Sequence, residues 1–290
     1  QLDGVPGAWL MKDGKLVPPK IQSLYCNPAK EDFIEPDRTK VERWRNAYFV
    51  GNAPYPSTYM FTSLGCPYKC TFCSIWKEHK GKYLQRTIDS IIDELKNIDY
   101  KIVRFADANT IVNVDFMNTL FDRIEQEGIQ KEYIMDIRAD TAVAHPNLIE
   151  KLAKAGLKVV ICGFESFREA ELNKYNKSAG AHLISKAIDI FHDNGVMLRG
   201  NYVIPNDYTY DDFTALAAYA SSHKVNYAGY TILTPMPGTE LYDEKRNEII
   251  DHNYLKYNFF NSVLKTKLPL QEFYSQVGKL WLIKKGTDVI

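Results

Sequence analysis

Cys66, Cys70 and Cys73 fall within one short run, Thr62-Ser63-Leu64-Gly65-Cys66-Pro67-Tyr68-Lys69-Cys70-Thr71-Phe72-Cys73-Ser74-Ile75-Trp76. Their spacing is C-x3-C-x2-C. Three thiolates on one loop can converge on one metal centre, and soft sulfur selects iron–sulfur clusters, zinc or copper(I). A 4Fe–4S cluster normally takes four cysteines. Held by three, it keeps one iron open, and an open coordination position is where chemistry happens. Structural zinc instead wants four closed ligands. His79 is the available fourth, but zinc loops favour C-x2-C pairs, so the spacing fits the cluster better. Trp76, just beyond, either covers such a centre from water or packs beneath it. Of the two remaining cysteines, Cys26 and Cys162, the second closes the apolar run Val159-Val160-Ile161-Cys162 and reads as a small core residue. Five cysteines, clustered and odd in number, do not form a disulfide framework, which points to a reducing cytoplasm.

A loop of this kind needs elements to aim it. Ser57 to Thr62 is strand-like and feeds directly into it. Thr87 then caps a helix whose face carries Ile88, Ile91, Ile92, Leu95 and Ile98. Lys101 to Ala106 reads as strand. Asn113 caps a second helix with Phe116, Leu120, Phe121 and Ile124 inward, stopped by Gly128. Tyr133 to Ile137 is the third strand, a helix opens at Pro146 and closes at Gly156, and Leu157 to Gly163 is the fourth strand. A helix over 181–193 ends at Asn194-Gly195. Val196 to Ile204 is the fifth strand, Thr209 and Asp212 form a capping-box pair, and Tyr227 to Leu233 is the sixth.

Strict alternation implies a parallel sheet with helices outside. A full eight-fold barrel needs about 250 residues, more than Ser57–Leu233 supplies. The expected fold is therefore α/β: a partial (β/α)6 TIM-like barrel with a C-terminal helical extension. Residues 1–56 read as an irregular, proline-rich connector with an Asp13-Gly14 turn, 57–234 as the barrel, and 235–290 as the extension, with helices near 239–249 and 268–284. The extension's aromatics, Tyr254, Tyr257, Phe259, Phe260, Phe273, Tyr274 and Trp281, read by default as core. Chemistry in such folds sits at the carboxyl ends of the strands. The cysteine loop lies there, with Asp107, Arg138, Glu165 and Pro205 after the next four strands.

Lys+Arg and Asp+Glu are both 36, so the net charge of zero gives no electrostatic support for nucleic-acid binding. No apolar run approaches the length of a membrane span. Opening on Gln1, with no signal-peptide pattern, the sequence reads as one from which an upstream piece has been removed.

The cysteine spacing after the first strand, with Phe72 before the third cysteine, resembles the radical S-adenosylmethionine (SAM) superfamily. Gly163-Phe164-Glu165-Ser166 resembles its G-x-E-S segment, and Asn147 to Gly156 the helix before it. Trp76-Lys77, Gly81-Lys82-Tyr83, Phe105-Ala106-Asp107, Ile204-Pro205-Asn206-Asp207 and Leu233-Thr234-Pro235-Met236-Pro237-Gly238-Thr239 resemble the cobalamin-dependent, lipid-modifying subgroup, of the hopanoid C-3 methylase kind. Leu2-Asp3-Gly4-Val5-Pro6-Gly7-Ala8 resembles the linker that follows a cobalamin-binding domain there, although no D-x-H-x-x-G cobalamin motif occurs in this chain.

The resemblance implies that Cys66, Cys70 and Cys73 ligate a 4Fe–4S cluster whose open iron binds SAM, giving a 5′-deoxyadenosyl radical. Asp107 would meet the SAM ammonium, in place of the family's Gly-Gly-Glu. Arg138 or Arg199 would meet its carboxylate, Glu165 or Asn201 its ribose, and Phe72 and Leu233 its adenine. Read without the resemblance, Asp107 and Glu165 are helix caps and Arg138 pairs with Asp140. The implied function is cobalamin-dependent C-methylation of an apolar, lipid-like small molecule. The implied partners are an upstream cobalamin-binding domain and a low-potential electron donor (flavodoxin or ferredoxin). The alternatives are a radical SAM cyclase or rearrangement enzyme without methyl transfer and, in another class, a binding module stapled by zinc or an iron–sulfur centre.

Overall fold

Six strands rich in β-branched and aromatic residues pair in the order they occur along the chain. In the computed structural model, which describes residues 5, 7–20, 33–49, 55–177, 180–223, 225 and 227–283, they are β3 (Ser57–Met60), β6 (Ile102–Phe105), β7 (Glu132–Asp136), β8 (Leu157–Glu165), β9 (Met197–Ile204) and β10 (Tyr227–Ile232). Every pairing among them is parallel. β3 and β10 form the two edges, so among the described residues the sheet is an open partial barrel, as the alternation predicts. Cys26, the Leu2-Asp3-Gly4 start of the linker-like segment, and Pro6, Pro28 and Pro54 lie outside the described residues.

The crossovers are helical because their sequences carry one apolar stripe each. They are α2 (Ile88–Asn97), α3 (Val114–Gln126), α4 (Ala139–Ala144) with α5 (Pro146–Lys154), α6 (Glu169–Lys174) with α7 (Ala181–Asp193), and α8 (Tyr210–Ser222). The Thr87 side chain accepts from Ser90 N, Asn113 from Phe116 N, and Thr209 and Asp212 close a capping box, all at the expected boundaries. Met117, Leu120, Phe121 and Ile124 of α3 are buried against the sheet. Burial of a side chain of this size contributes about 1.5–3 kcal/mol. Ile102, Ile134 and Ile161, on three adjacent strands, make a separate apolar cluster.

One feature departs from the sequence reading. The strand before the cysteines does not run straight into them. It breaks after Met60, and Ser63–Gly65 (β4) pairs antiparallel with Tyr83–Gln85 (β5). The cysteine loop and the one-turn α1 (Ile75–Glu78) lie between these two strands, so both ends of the loop are tied together. The chain forms two compact units, residues 1–36 and 37–290. Residues 37–290 form one unit because Arg38 donates to Thr58 Oγ1 (3.1 Å) and Tyr59 O (2.8 Å), and pairs with buried Glu94 (2.6 Å). Within the first unit, Leu10–Lys12 (β1) and Lys15–Val17 (β2) form a hairpin. Asp13 and Gly14 both take positive φ at its tip, the conformation a tight two-residue turn requires.

The C-terminal extension contains α9 (Glu240–Lys245) and α10 (Leu270–Trp281). Phe273 is fully buried, edge-on to Phe213 of α8 at 5.5 Å, as the core reading of the tail aromatics expects. Phe259, Phe260 and Trp281 do not follow that reading. They remain exposed and line the cavity described next.

Candidate active site

At the carboxyl end of the sheet lies a cavity of about 420 Å³. All three loop cysteines line it. The loop that carries them is braced by four hydrogen bonds. Trp76 donates its indole N–H to Cys70 O (3.0 Å), so Trp76 pins the loop from within. Asn176 donates to Lys69 O (2.8 Å), and Thr71 N to Tyr175 O (3.2 Å), joining the loop to the end of α6. Leu241 N donates to Thr71 O (3.0 Å) from the start of α9. Gly65 enters the loop at φ +80, and a Cβ there would stand 2.2 Å from Lys82 O, so only glycine serves. The His79 ring packs over Gly65, with Nδ1 at 3.0 Å from Ile75 O, and lies outside the cavity lining.

The thiols are tuned by their surroundings. Burial pushes Cys70 and Cys73 above the ordinary thiol range. Against it, the Lys177 and Arg138 cations act on Cys70, and the backbone N–H groups of Ile75 and Trp76 on Cys73. These donors and cations suit a bound anionic cluster, whose iron would displace the thiol protons. Three sulfurs on one cavity wall, with amide donors and two cations behind them, thus fit a three-cysteine 4Fe–4S centre. Among the described residues, no three His, Cys, Asp or Glu side chains gather around one point closely enough to hold a single ion. Cys162 is fully buried in the core, its thiol pushed up to about 12 by burial.

Of the residues singled out from sequence, Phe72, Arg138, Glu165, Arg199, Asn201 and Leu233 all line this cavity. Phe72 stands edge-on to Tyr175 at 5.5 Å and packs with Val203, Leu233 and Leu241. Arg138 is held bidentately by Asp140 (2.9 and 2.6 Å) and lies over the Tyr68 ring at 3.8 Å. The rim pair and the cavity position are therefore both true of it. Burial works against its charge, but Asp140 holds the guanidinium ionised. Glu165 ends β8 at φ +61, after a register shift between Gly163 and Glu165. Its carboxylate folds back over Gly163, where a Cβ would stand 2.2 Å from Oε1. There it pairs with Lys177 at 2.9 Å, and it caps no helix.

Asp107 is the exception. It does not line the cavity. Its carboxylate is buried and turned to the start of the cysteine loop, accepting from Thr62 N (2.8 Å), Ser63 N (2.9 Å) and Thr62 Oγ1 (2.6 Å). The reason is the break after Met60, which leaves two backbone N–H groups that the main sheet does not pair. Burial raises its pKa to about 6 although these bonds oppose the shift. Asn109, two residues on, lines the cavity instead. It is 2% exposed, and its Oδ1 has no partner among the described residues.

Sequence reading missed Asn109, Asp136 and Lys177. Asp136 was open to discovery, as a charge inside an apolar strand; it pairs with Arg104 at 3.1 Å. Lys177 left no signal, since only the fold after α6 returns it to Glu165.

An open parallel barrel with a three-cysteine loop at its carboxyl end defines a class of metal-dependent barrel protein. A family model described as the Radical SAM superfamily matches residues 60–220. That is more than half of the chain, and the chain belongs to this superfamily. Over 237 residues it is 24% identical to the hopanoid C-3 methylase of Methylococcus capsulatus, covering 82% of this chain and 46% of that protein. Over 264 residues it is 23% identical to the anaerobic magnesium-protoporphyrin IX monomethyl ester cyclase of Rubrivivax gelatinosus, covering 89% and 46%. The chain spans about half the length of the curated relatives it matches. The fold is similar to that of TsrM, a radical S-adenosylmethionine methyltransferase from Kitasatospora setae solved with cobalamin and a 4Fe–4S cluster. The TM-score is 0.68 at 14% identity, covering 99% of this chain and 64% of that one.

Proposed function

We propose that this chain is the catalytic part of a radical SAM enzyme that methylates carbon on an apolar substrate with the help of cobalamin. The observation that carries the reading is the meeting of Cys66, Cys70 and Cys73 with Arg138, Glu165 and Lys177 on one cavity. When bound, the cluster supplies the electron that opens SAM to a 5′-deoxyadenosyl radical. The chain's own residues bind, orient and exclude water. Cys66, Cys70 and Cys73 hold three irons. Arg138 and Lys177, the cations beside Cys70, meet the SAM carboxylate. Asn109 Oδ1, a buried acceptor without a partner among the described residues, takes the ammonium in place of Asp107. Glu165 faces the ribose, and Phe72 and Leu233 wall the adenine. Phe259, Phe260 and Trp281 present apolar surface to a substrate. Cobalamin is assigned to a domain outside these 290 residues, in keeping with relatives about twice as long. Electrons come from a flavodoxin or ferredoxin. The similarity to a cyclase favours a second reading, a radical SAM cyclisation or rearrangement without methyl transfer.

Anaerobic reconstitution with iron and sulfide tests the first step. The expected result is a 4Fe–4S electron paramagnetic resonance signal that shifts on adding SAM, lost on changing Cys66, Cys70 or Cys73 to alanine and kept in Cys162→Ala. A zinc protein blind to SAM would overturn the reading in favour of a metal-stapled binding module. Incubating the full-length protein with methyl-labelled SAM and cobalamin then separates the two enzyme readings. Label in the product supports methylation, while 5′-deoxyadenosine release without label supports cyclisation.

A further inference from the structure

The charges on the cavity wall pair off with one left over. Lys177 is taken by Glu165, Arg138 by Asp140, and Asp136 by Arg104. Among the described residues, the Arg199 guanidinium makes neither a salt bridge nor a hydrogen bond; it is exposed in the cavity and acts on Asp136 only through space. Asp136 is already bonded to Arg104, so this group of three charges keeps one positive charge to attract an anion.

Its level in the barrel separates it from the cysteine end. Along the β8–β9 ladder, Tyr202 is in register with Glu165 and Arg199 with Ile161. Arg199 therefore lies three residues deeper than the Glu165 level, about 10 Å along the strand. Asp136 is also in register with Ile161, so Asp136 and Arg199 share one level. With Asp136 neutralised by Arg104, that level carries one net positive charge. The charges that act most on Cys70 are Lys177, Arg138 and Glu165; Arg199 is not among them.

The glycine beside Arg199 makes room for the Asn201 amide. Gly229 of β10 is in register with Asn201, and a Cβ on it would stand 2.4 Å from Asn201 Oδ1 and 3.6 Å from Arg199 Nη2. An amide and a guanidinium thus converge over a bare backbone, and both line the cavity. One guanidinium offers two parallel N–H donors, which match a planar carboxylate. The same cavity is apolar where Phe259, Phe260 and Trp281 line it.

We propose that Arg199, with Asn201 beside it, binds a carboxylate on the inner end of the substrate, whose apolar body runs to Phe259, Phe260 and Trp281. The substrate class is an amphipathic monocarboxylate. This rests on the radical SAM reading, in which SAM takes the charges beside Cys70 and leaves Arg199 to the second molecule.

The test uses reconstituted protein with SAM bound, and titration calorimetry with two probes, decanoate and 1-decanol. Wild type is expected to prefer decanoate by about tenfold to a hundredfold, the range of a hydrogen bond to a charged group. Arg199→Gln is expected to erase that preference and leave decanol binding unchanged, and Arg199→Lys to restore part of it. Gly229→Ala, whose methyl would push the Asn201 amide out of place, is expected to weaken decanoate while the Arg199 charge is kept. SAM affinity, read from the shift of the cluster signal, stays at the wild-type value in Arg199→Gln. Three results would each overturn the proposal: no carboxylate preference in wild type, a preference that survives Arg199→Gln, or loss of SAM affinity in that variant. The last would place Arg199 on the SAM carboxylate. Failure of wild type to bind SAM at all would sink the radical SAM reading, a result separate from these.

Discussion

Asp107 shows how a single residue can sit where sequence expects it and face another way. It follows its strand at the carboxyl end, yet spends its carboxylate on Thr62 and Ser63. Its folded pKa is raised from 3.8 to about 6, so the protonated form is favoured in the folded state. The sign follows directly: its stabilising contribution is full below about pH 4 and is lost as pH rises through about 6. Asp107→Asn keeps the acceptor for both N–H groups and donates to Thr62 Oγ1 instead. The stability of the variant relative to wild type, from urea unfolding, is expected to rise by about 2 kcal/mol between pH 4.5 and 7. Asp107→Ala, which strands two buried N–H donors, is expected to cost about 2–4 kcal/mol at either pH. A flat pH response in the wild-type-to-Asn difference would refute the raised pKa.

Among the elements, the end of β8 decides most. The register shift and the positive φ at Glu165 turn its carboxylate into the cavity, and bare Gly163 gives it room. Gly163→Ala is expected to push Oε1 off its 2.2 Å approach, break the pair with Lys177 and lower SAM affinity about tenfold, near the worth of one charge-assisted bond. Titrating SAM against the cluster signal measures this, and an unchanged affinity would show that Glu165 and Lys177 do not contact SAM. The β4–β5 hairpin has the complementary task. By tying the two ends of the cysteine loop together, it converts a local spacing into a fixed arrangement of sulfurs.

At the scale of the whole molecule, the C-terminal extension joins packing and recognition. Phe273 is fully buried against Phe213 and Tyr274, whereas Phe260 is 61% exposed at the cavity. Phe273→Ala is expected to cost about 3–5 kcal/mol in denaturant unfolding. Phe260→Ala is expected to change stability by no more than about 0.5 kcal/mol and to weaken apolar-ligand binding in calorimetry. Equal costs for the two would show that the extension is packing alone. Among the described residues, no helix is long and apolar enough to cross a membrane.

The local sequence determined much of this protein. Periodicity and caps set the helices: Thr87, Asn113 and Thr209 start theirs where expected, because capping depends on residues within one turn. Alternation of strands and helices set the parallel order, and the cysteine run after the first strand marked a candidate metal-binding loop at the strand ends. The tertiary structure decided what depends on contacts far apart in sequence. Asp107 turned away from the cavity because a strand 45 residues earlier broke and offered it two N–H groups. Lys177 reached Glu165 only through the course of α6. Phe259, Phe260 and Trp281 carry the same apolar signal as Phe273, and only the path of the extension separates lining from core. The surplus positive charge of Arg199 beside the Arg104–Asp136 pair became visible only in the assembled cavity, because the three residues come from three different strands.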